Sequence, residues 1–162
     1  MKTDNKLDWV NRWITLAANI GVLLGIIFLI VELRQNTTAT RLQASSNFQD
    51  SFSNIEFFIT QNAEFAALLD KGRKAEAIDR SVDQMRLDVF YGNVLRTWQN
   101  AHTQYQSGAL DEDIWRGSQA RLTEVLKADR GLFDYWQTNQ THFGLTFNAM
   151  IASITDDAVV AH

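Results

Sequence analysis

The stretch "ITLAANIGVLLGIIFLIVEL", Ile14 to Leu33, decides how the rest of the chain is read. From Ile14 to Val31 it holds no ionisable side chain, and Thr15 and Asn19 are its only polar ones. A helix rises about 1.5 Å per residue, so this segment extends ~30 Å. That matches the hydrocarbon thickness of a bilayer. Three identities compete for it: a membrane span, a cleaved signal peptide, or the buried helix of a soluble domain. The apolar region of a signal peptide is shorter, roughly 7–15 residues. The following "VELRQNTTATRLQASS" offers no convincing cleavage site, Thr37-Thr38-Ala39 being the nearest candidate. A helix apolar on every side is rare inside a small domain. The residues therefore predict a transmembrane helix over 14–33, an interfacial segment over 1–13 and a helical bundle over 34–162.

The flanks agree with a span. Trp9 and Trp13 lie just before it, where indole rings favour the headgroup region. Arg34 follows it and is placed to snorkel toward the phosphates. Lys2, Lys6 and Arg12 precede the span and Arg34 and Arg41 follow closely. That margin of one charge favours a cytoplasmic N-terminus, with the bundle outside the cytoplasm of a bacterial inner membrane. Within the span Ala17, Gly21 and Gly25 recur at steps of four and so share one helix face. A face without bulk lets a second helix approach closely. Glycine and alanine are also common in membrane helices, and the same spacing arises by chance. Asn19 lies roughly opposite this stripe, near the headgroups.

The chain has 162 residues, enough for one domain with a proper core and too few for two large ones. A net charge of −4 argues against nucleic acid as a partner. There is no cysteine, which removes disulfides, thiolate metal sites and cysteine nucleophiles. There is also no proline, where average usage of ~5% predicts roughly eight. Helices are left uninterrupted, and the chain reads as all-α.

Beyond the span nothing breaks the helix before Gln61, so one helix is expected from about Leu7 to Gln61. Its inner stripe would carry Leu33, Thr37, Ala44, Phe48, Phe52, Ile55 and Ile59. "NAEFAALLDKG" follows as a short helix with Asn62 as N-cap and Gly72 as stop. "RKAEAIDR" reads as a connection. Ser81 and Gln84 form a capping box for a helix with the stripe Leu87, Tyr91, Val94, Trp98, Ala101 and Tyr105, ended by Gly108. Asp111 caps the next helix, Leu110 staples onto Trp115, and Ser118, Leu122 and Val125 share the Trp115 face. Gly131 is expected to end it. "LFDYWQ" makes a short aromatic turn, and a last helix from about Phe143 to Thr155 turns Phe143, Phe147, Met150, Ile151 and Ile154 inward. The soluble part is thus a bundle, with most aromatics assigned to packing at helical spacing.

Residues suited to catalysis are scarce. His102 stands alone in "QNAHTQY" without the Glu-x-x-His spacing of di-iron bundles, His142 opens the last helix, and His162 is the final residue. Asp111-Glu112-Asp113 is an acidic run, but carboxylates are favoured at a helix N-terminus in any case. No nucleophile elbow, phosphate-binding loop, dinucleotide fingerprint or zinc-helix motif occurs. Asn36 and Asn139 match the N-x-T glycosylation pattern by coincidence. No catalytic residue, metal ligand or cofactor is expected.

The blocks "LIVELRQNTTATRLQASSNFQD", "NAEFAALLDKG" and "AHTQYQSGALDEDIWRG" resemble those of a widespread family of short bacterial single-pass membrane proteins of unknown function. The resemblance is specific at Arg34–Thr37 and at Gln104–Trp115 and extends from Ile14 to about Trp136. Two departures stand out: Ala63 replaces a proline, and Thr97–His102 is less acidic. The resemblance implies one N-terminal span and an attached helical domain, and carries no activity. Together these observations point to a membrane-anchored, non-catalytic interaction or accessory module. Its partners would be the lipid bilayer and either a second copy in a homo-oligomer or a larger membrane complex. The alternative is a membrane-tethered sensor binding a small molecule, which would need a signalling partner.

Overall fold

A computed structural model describes the backbone of residues 4–159 and the side-chain surroundings of residues 9–155. Its elements are α1 (Asp4–Gln61), α2 (Ala63–Arg73), α3 (Ser81–Gln106), α4 (Glu112–Ala128), α5 (Arg130–Thr138), a single 3-10 turn at Gln140–His142, and α6 (Leu145–Val159). No strand occurs among the described residues, and the chain is all-α. His162 lies outside them.

The chain divides into two compact units, Met1–Thr40 and Arg41–His162. In the first, α1 is long and apolar enough to cross a membrane. No residue from Trp9 to Gln43 is buried within the chain, and Phe28 is 73% exposed. A soluble core helix would bury such side chains, each worth about 1.5–3 kcal/mol. That identity is therefore excluded for this segment within the chain.

The second unit holds the core. Leu87, Leu95 and Trp98 of α3, Leu122 of α4, Leu132 of α5 and Ile151 of α6 are all buried in one cluster. A smaller cluster joins Ala101, Leu110 and Trp115. The C-terminal turns of α1 rest on this core through Phe52, Ile55 and Ile59, which stay half-buried. Phe52 meets Trp98 edge-on at 4.9 Å. Polar ties flank them: Arg41 Nε donates to the Gly108 carbonyl at 3.0 Å, and Arg121 pairs with Glu56 at 2.6 Å. The inner stripe of α1 begins only at Ala44. Leu33 and Thr37, expected on it, are exposed, and the Thr37 hydroxyl donates back to the Leu33 carbonyl.

The caps sort into those the local sequence controls and those it does not. Asn62 accepts from the Phe65 N–H and Asp111 from the Asp113 N–H, as expected. Gly108 ends α3 at φ +74°, where Ala109 and Leu110 N–H groups return to the Gln104 carbonyl. The Ser81 box does not form. Arg80 occupies the cap position in extended backbone, Ser81 is already helical, and Gln84 instead donates to Asp88. With Asp83 in the first turn favoured by the dipole, and Arg80 pairing with it at 3.5 Å, the helix starts without a side-chain cap.

Gly72 and Gly131 do not act as stops either. Gly72 sits inside the last turn of α2, where a Cβ would lie 2.7 Å from the Tyr91 hydroxyl. Gly131 sits in the first turn of α5, where a Cβ would collide with the Gly72 carbonyl. Both are small because α2, α3 and α5 converge there. Finally, α6 begins at Leu145 rather than Phe143. Phe143 is extended yet buried, so it joins the core from the turn before the helix.

Candidate functional site

The residues singled out in the span are placed but not brought together with anything else in the chain. Gly21 and Gly25 have nothing within 4 Å of where a Cβ would be, and Ala17 is exposed. Trp9 and Trp13 touch edge-on at 5.9 Å and stay 63% and 55% exposed. Arg34 is exposed, and its carbonyl accepts from the Thr38 hydroxyl at 3.0 Å.

Within Arg41–His162 the acidic run is used for structure. Asp111 caps α4, and Glu112 pairs with Arg116 at 2.6 Å. His102 is buried, its ring 5.3 Å from Trp115 and 6.0 Å from Phe147, and its Nδ1 finds no partner. Burial pushes its pKa below the ordinary 6.5, which favours the neutral ring. Among the described residues no group of three or more His, Cys, Asp or Glu is arranged to hold a metal ion.

One polar group was not singled out from the sequence. Asp129 lies in "KADRG", between two helices with no residue to spare. Its N–H donates to the Val125 carbonyl and closes α4, while its carboxylate accepts from the Leu132 N–H at 2.9 Å and opens α5. The same Oδ1 accepts from the Tyr91 hydroxyl at 3.3 Å, and Arg73 Nε stands 3.9 Å from Oδ2. Burial raises the Asp129 pKa, against the Leu132 N–H, Tyr91 and Arg73, which all favour the carboxylate. Burial, then the neighbouring carboxylate, raises that of Tyr91, so its hydroxyl remains a donor. This cluster is a structural joint: it fixes the angle at which α4 gives way to α5.

Between the C-terminal turns of α1 and the helices beneath them lie two neighbouring cavities. The first, of about 330 Å³, is walled by Phe52, Ile55, Ile59, Phe90, Val94 and Val125, with Asp129 and Arg73 toward one end. The second, of about 390 Å³, is more polar and includes Gln49, Ser53, Ser118 and Arg121. Both are lined by Phe52, Glu56, Trp98 and Arg121. Trp98 Nε1 and Ser118 Oγ are buried without a hydrogen-bond partner. The sequence signal for this site was a serine on an otherwise apolar stripe, read there as core packing. On the other side of α1, a groove of about 520 Å³ is bordered by Phe58, Met85 and Val89, which are 47%, 59% and 60% exposed.

No protein-family model, curated protein or solved structure matches the chain.

Proposed function

We propose that this chain is a single-pass membrane protein whose helical domain is a non-catalytic interaction or accessory module, assembling with itself or with a larger membrane complex. The observation that carries this reading is the complete exposure of the apolar helical segment from Ile14 to Leu33. Such a surface is stable only in an apolar surrounding, and a bilayer supplies one of matching thickness. The open space around Gly21 and Gly25 supports close approach of a second helix. The exposed apolar border at Phe58, Met85 and Val89 supports contact by the domain as well. The resemblance at Arg34–Thr37 and Gln104–Trp115 supports membership of the family of short bacterial membrane proteins, and with it the inner membrane as location. The charge margin supports a cytoplasmic N-terminus.

The test is purification of the intact protein from its native membrane in mild detergent, followed by measurement of mass and composition. A stoichiometric second protein or a homo-oligomer is the expected result. A protein released by alkaline extraction, or one running as a monomer of 18.5 kDa with nothing attached, would overturn the reading. Gly21→Leu with Gly25→Leu should lower the oligomeric or complex mass, and an unchanged mass would remove the stripe from the contact.

A second reading, a membrane-tethered domain that binds a small molecule, is favoured by the paired cavities beneath α1. Thermal stabilisation of the intact protein by a metabolite would support it.

A further inference from the structure

We infer that the last part of α1, residues 44–61, is a strap that undocks as a unit from the core formed by α2–α6, turning about Asn62 while that core stays folded. The motion needs no bound molecule and holds for either reading above.

The core is complete without the strap. Its large side chains with almost no exposure include Phe65 of α2, Leu95 of α3, Leu122 of α4, Leu132 of α5, and Phe147 and Ile151 of α6, whereas α1 supplies none of that class. Among its described residues α1 buries only Ala44, and the stripe that follows, Phe48, Phe52, Ile55 and Ile59, stays half-buried throughout. Burial stabilises in proportion to the apolar area removed from water, so each of these side chains contributes less than one in the core. The packing is also open. Spaces of about 330 and 390 Å³ lie beneath these turns, and one of about 520 Å³ on the other side of α1. A gap removes the dispersion contacts of the side chains that line it.

The polar ties are equally slight. Among the described residues, two side-chain hydrogen bonds join α1 to other elements, from Arg41 to the Gly108 carbonyl and from Arg121 to Glu56. Both members of the second pair are more than half exposed, and such pairs contribute little. The pivot is a single residue. Asn62 alone separates α1 from α2, and it leaves helical geometry at φ −119° and ψ 86°. Its side chain accepts from the Phe65 N–H, so α2 keeps its cap whichever way α1 turns. The Phe58 and Phe65 rings, 5.0 Å apart, meet in the turns beside this pivot, where rotation displaces them least. A segment with few buried apolar contacts and water-exposed ties opens before the core it rests on.

The test is hydrogen exchange with mass spectrometry on the full-length protein in phosphatidylcholine nanodiscs. Undocked, residues 44–61 lose the tertiary packing that supplies most of a helix's stability, so their amides exchange. In the wild type they should exchange at least about tenfold faster than amides over 87–101 and 147–154. Two kinds of variant separate a strap from one cooperative domain. Ile55→Ala loosens the strap and should speed exchange over 44–61 about tenfold. Ile151→Val weakens the core mildly and should speed exchange over 87–101 about two- to tenfold. It should leave 44–61 unchanged, because docked and undocked states share the same core. Leu126→Ala makes the same comparison from α4 with a larger effect on the core. Exchange over 44–61 that rises together with the core in either core variant would overturn the inference. So would equal exchange of the two regions in the wild type, or no change over 44–61 in Ile55→Ala.

Discussion

Between Ile14 and Leu33, and between Ala44 and Gln61, α1 is one unbroken helix with two different relations to its surroundings. In the first part apolar side chains cover every face and none is buried. In the second they recur at Ala44, Phe48, Phe52, Ile55 and Ile59, and those positions are buried or half-buried while the rest face water. The two parts differ in total hydrophobicity and in its angular distribution. A stripe finds its partner within the chain, because one face is all that a neighbouring helix can cover. Apolar residues all round need a surrounding medium, and no single neighbour is enough.

The comparison is broken most directly by deleting the same side chain in each part of the molecule. Leu95→Ala, at a fully buried position, should destabilise the bundle by about 2–5 kcal/mol in denaturant unfolding of the intact protein. Leu23→Ala should leave that transition where it is, and a comparable loss there would mean that the segment packs on protein. The reverse asymmetry holds for a charge. Leu24→Arg should disfavour membrane insertion by roughly 2.5–3.5 kcal/mol, read as a lower fraction resisting alkaline extraction.

A smaller effect tests why the glycines are there. Gly131→Ala should cost about 1–3 kcal/mol, because its Cβ meets the Gly72 carbonyl and the Tyr91 hydroxyl. Gly25→Ala should be neutral toward bundle unfolding. If both are neutral, α2 and α5 do not approach as closely as described.

The caps give a sharper contrast. Asn62→Ala should cost about 1 kcal/mol, whereas Ser81→Ala should fall within about 0.5 kcal/mol of wild type. Equal losses would restore the capping box.

Last comes the dependence on pH. His102 has its pKa lowered in the folded state, so folded protein binds fewer protons than unfolded protein just below pH 6.5. Stability is therefore fully present above 6.5 and falls as pH drops toward the folded pKa. Asp129 runs the other way: its raised pKa makes the buried carboxylate cost grow as pH rises from 3.8 through the folded value. His102→Leu should flatten the loss of melting temperature between about pH 7.5 and about pH 5.5. An unchanged slope would place the titrating group elsewhere.

Much of this architecture was legible in the residues. Freedom from proline, the apolar run, and the local signals Asn62, Gly108 and Asp111 all act within a few residues of themselves, and each appears where expected. The readings that failed were those in which a residue's reason lay elsewhere in the chain. Gly72 and Gly131 have the composition of helix stops, yet their size answers to Tyr91 and to each other. Asp129 was not singled out in the sequence and is the joint between α4 and α5. Trp98 and Ser118 looked like core and are buried there, but only the tertiary packing leaves Trp98 Nε1 and Ser118 Oγ without a partner.

By itself the sequence determined the helical class, the apolar segment and the helix ends set by local chemistry, because those depend on composition, periodicity and hydrogen bonds to near neighbours. Tertiary structure alone decided where the inner stripe of α1 begins, which glycines mark a close approach, and that the α1 turns leave a lined space beneath them. Those properties depend on distances between residues far apart in the chain, which no local pattern records.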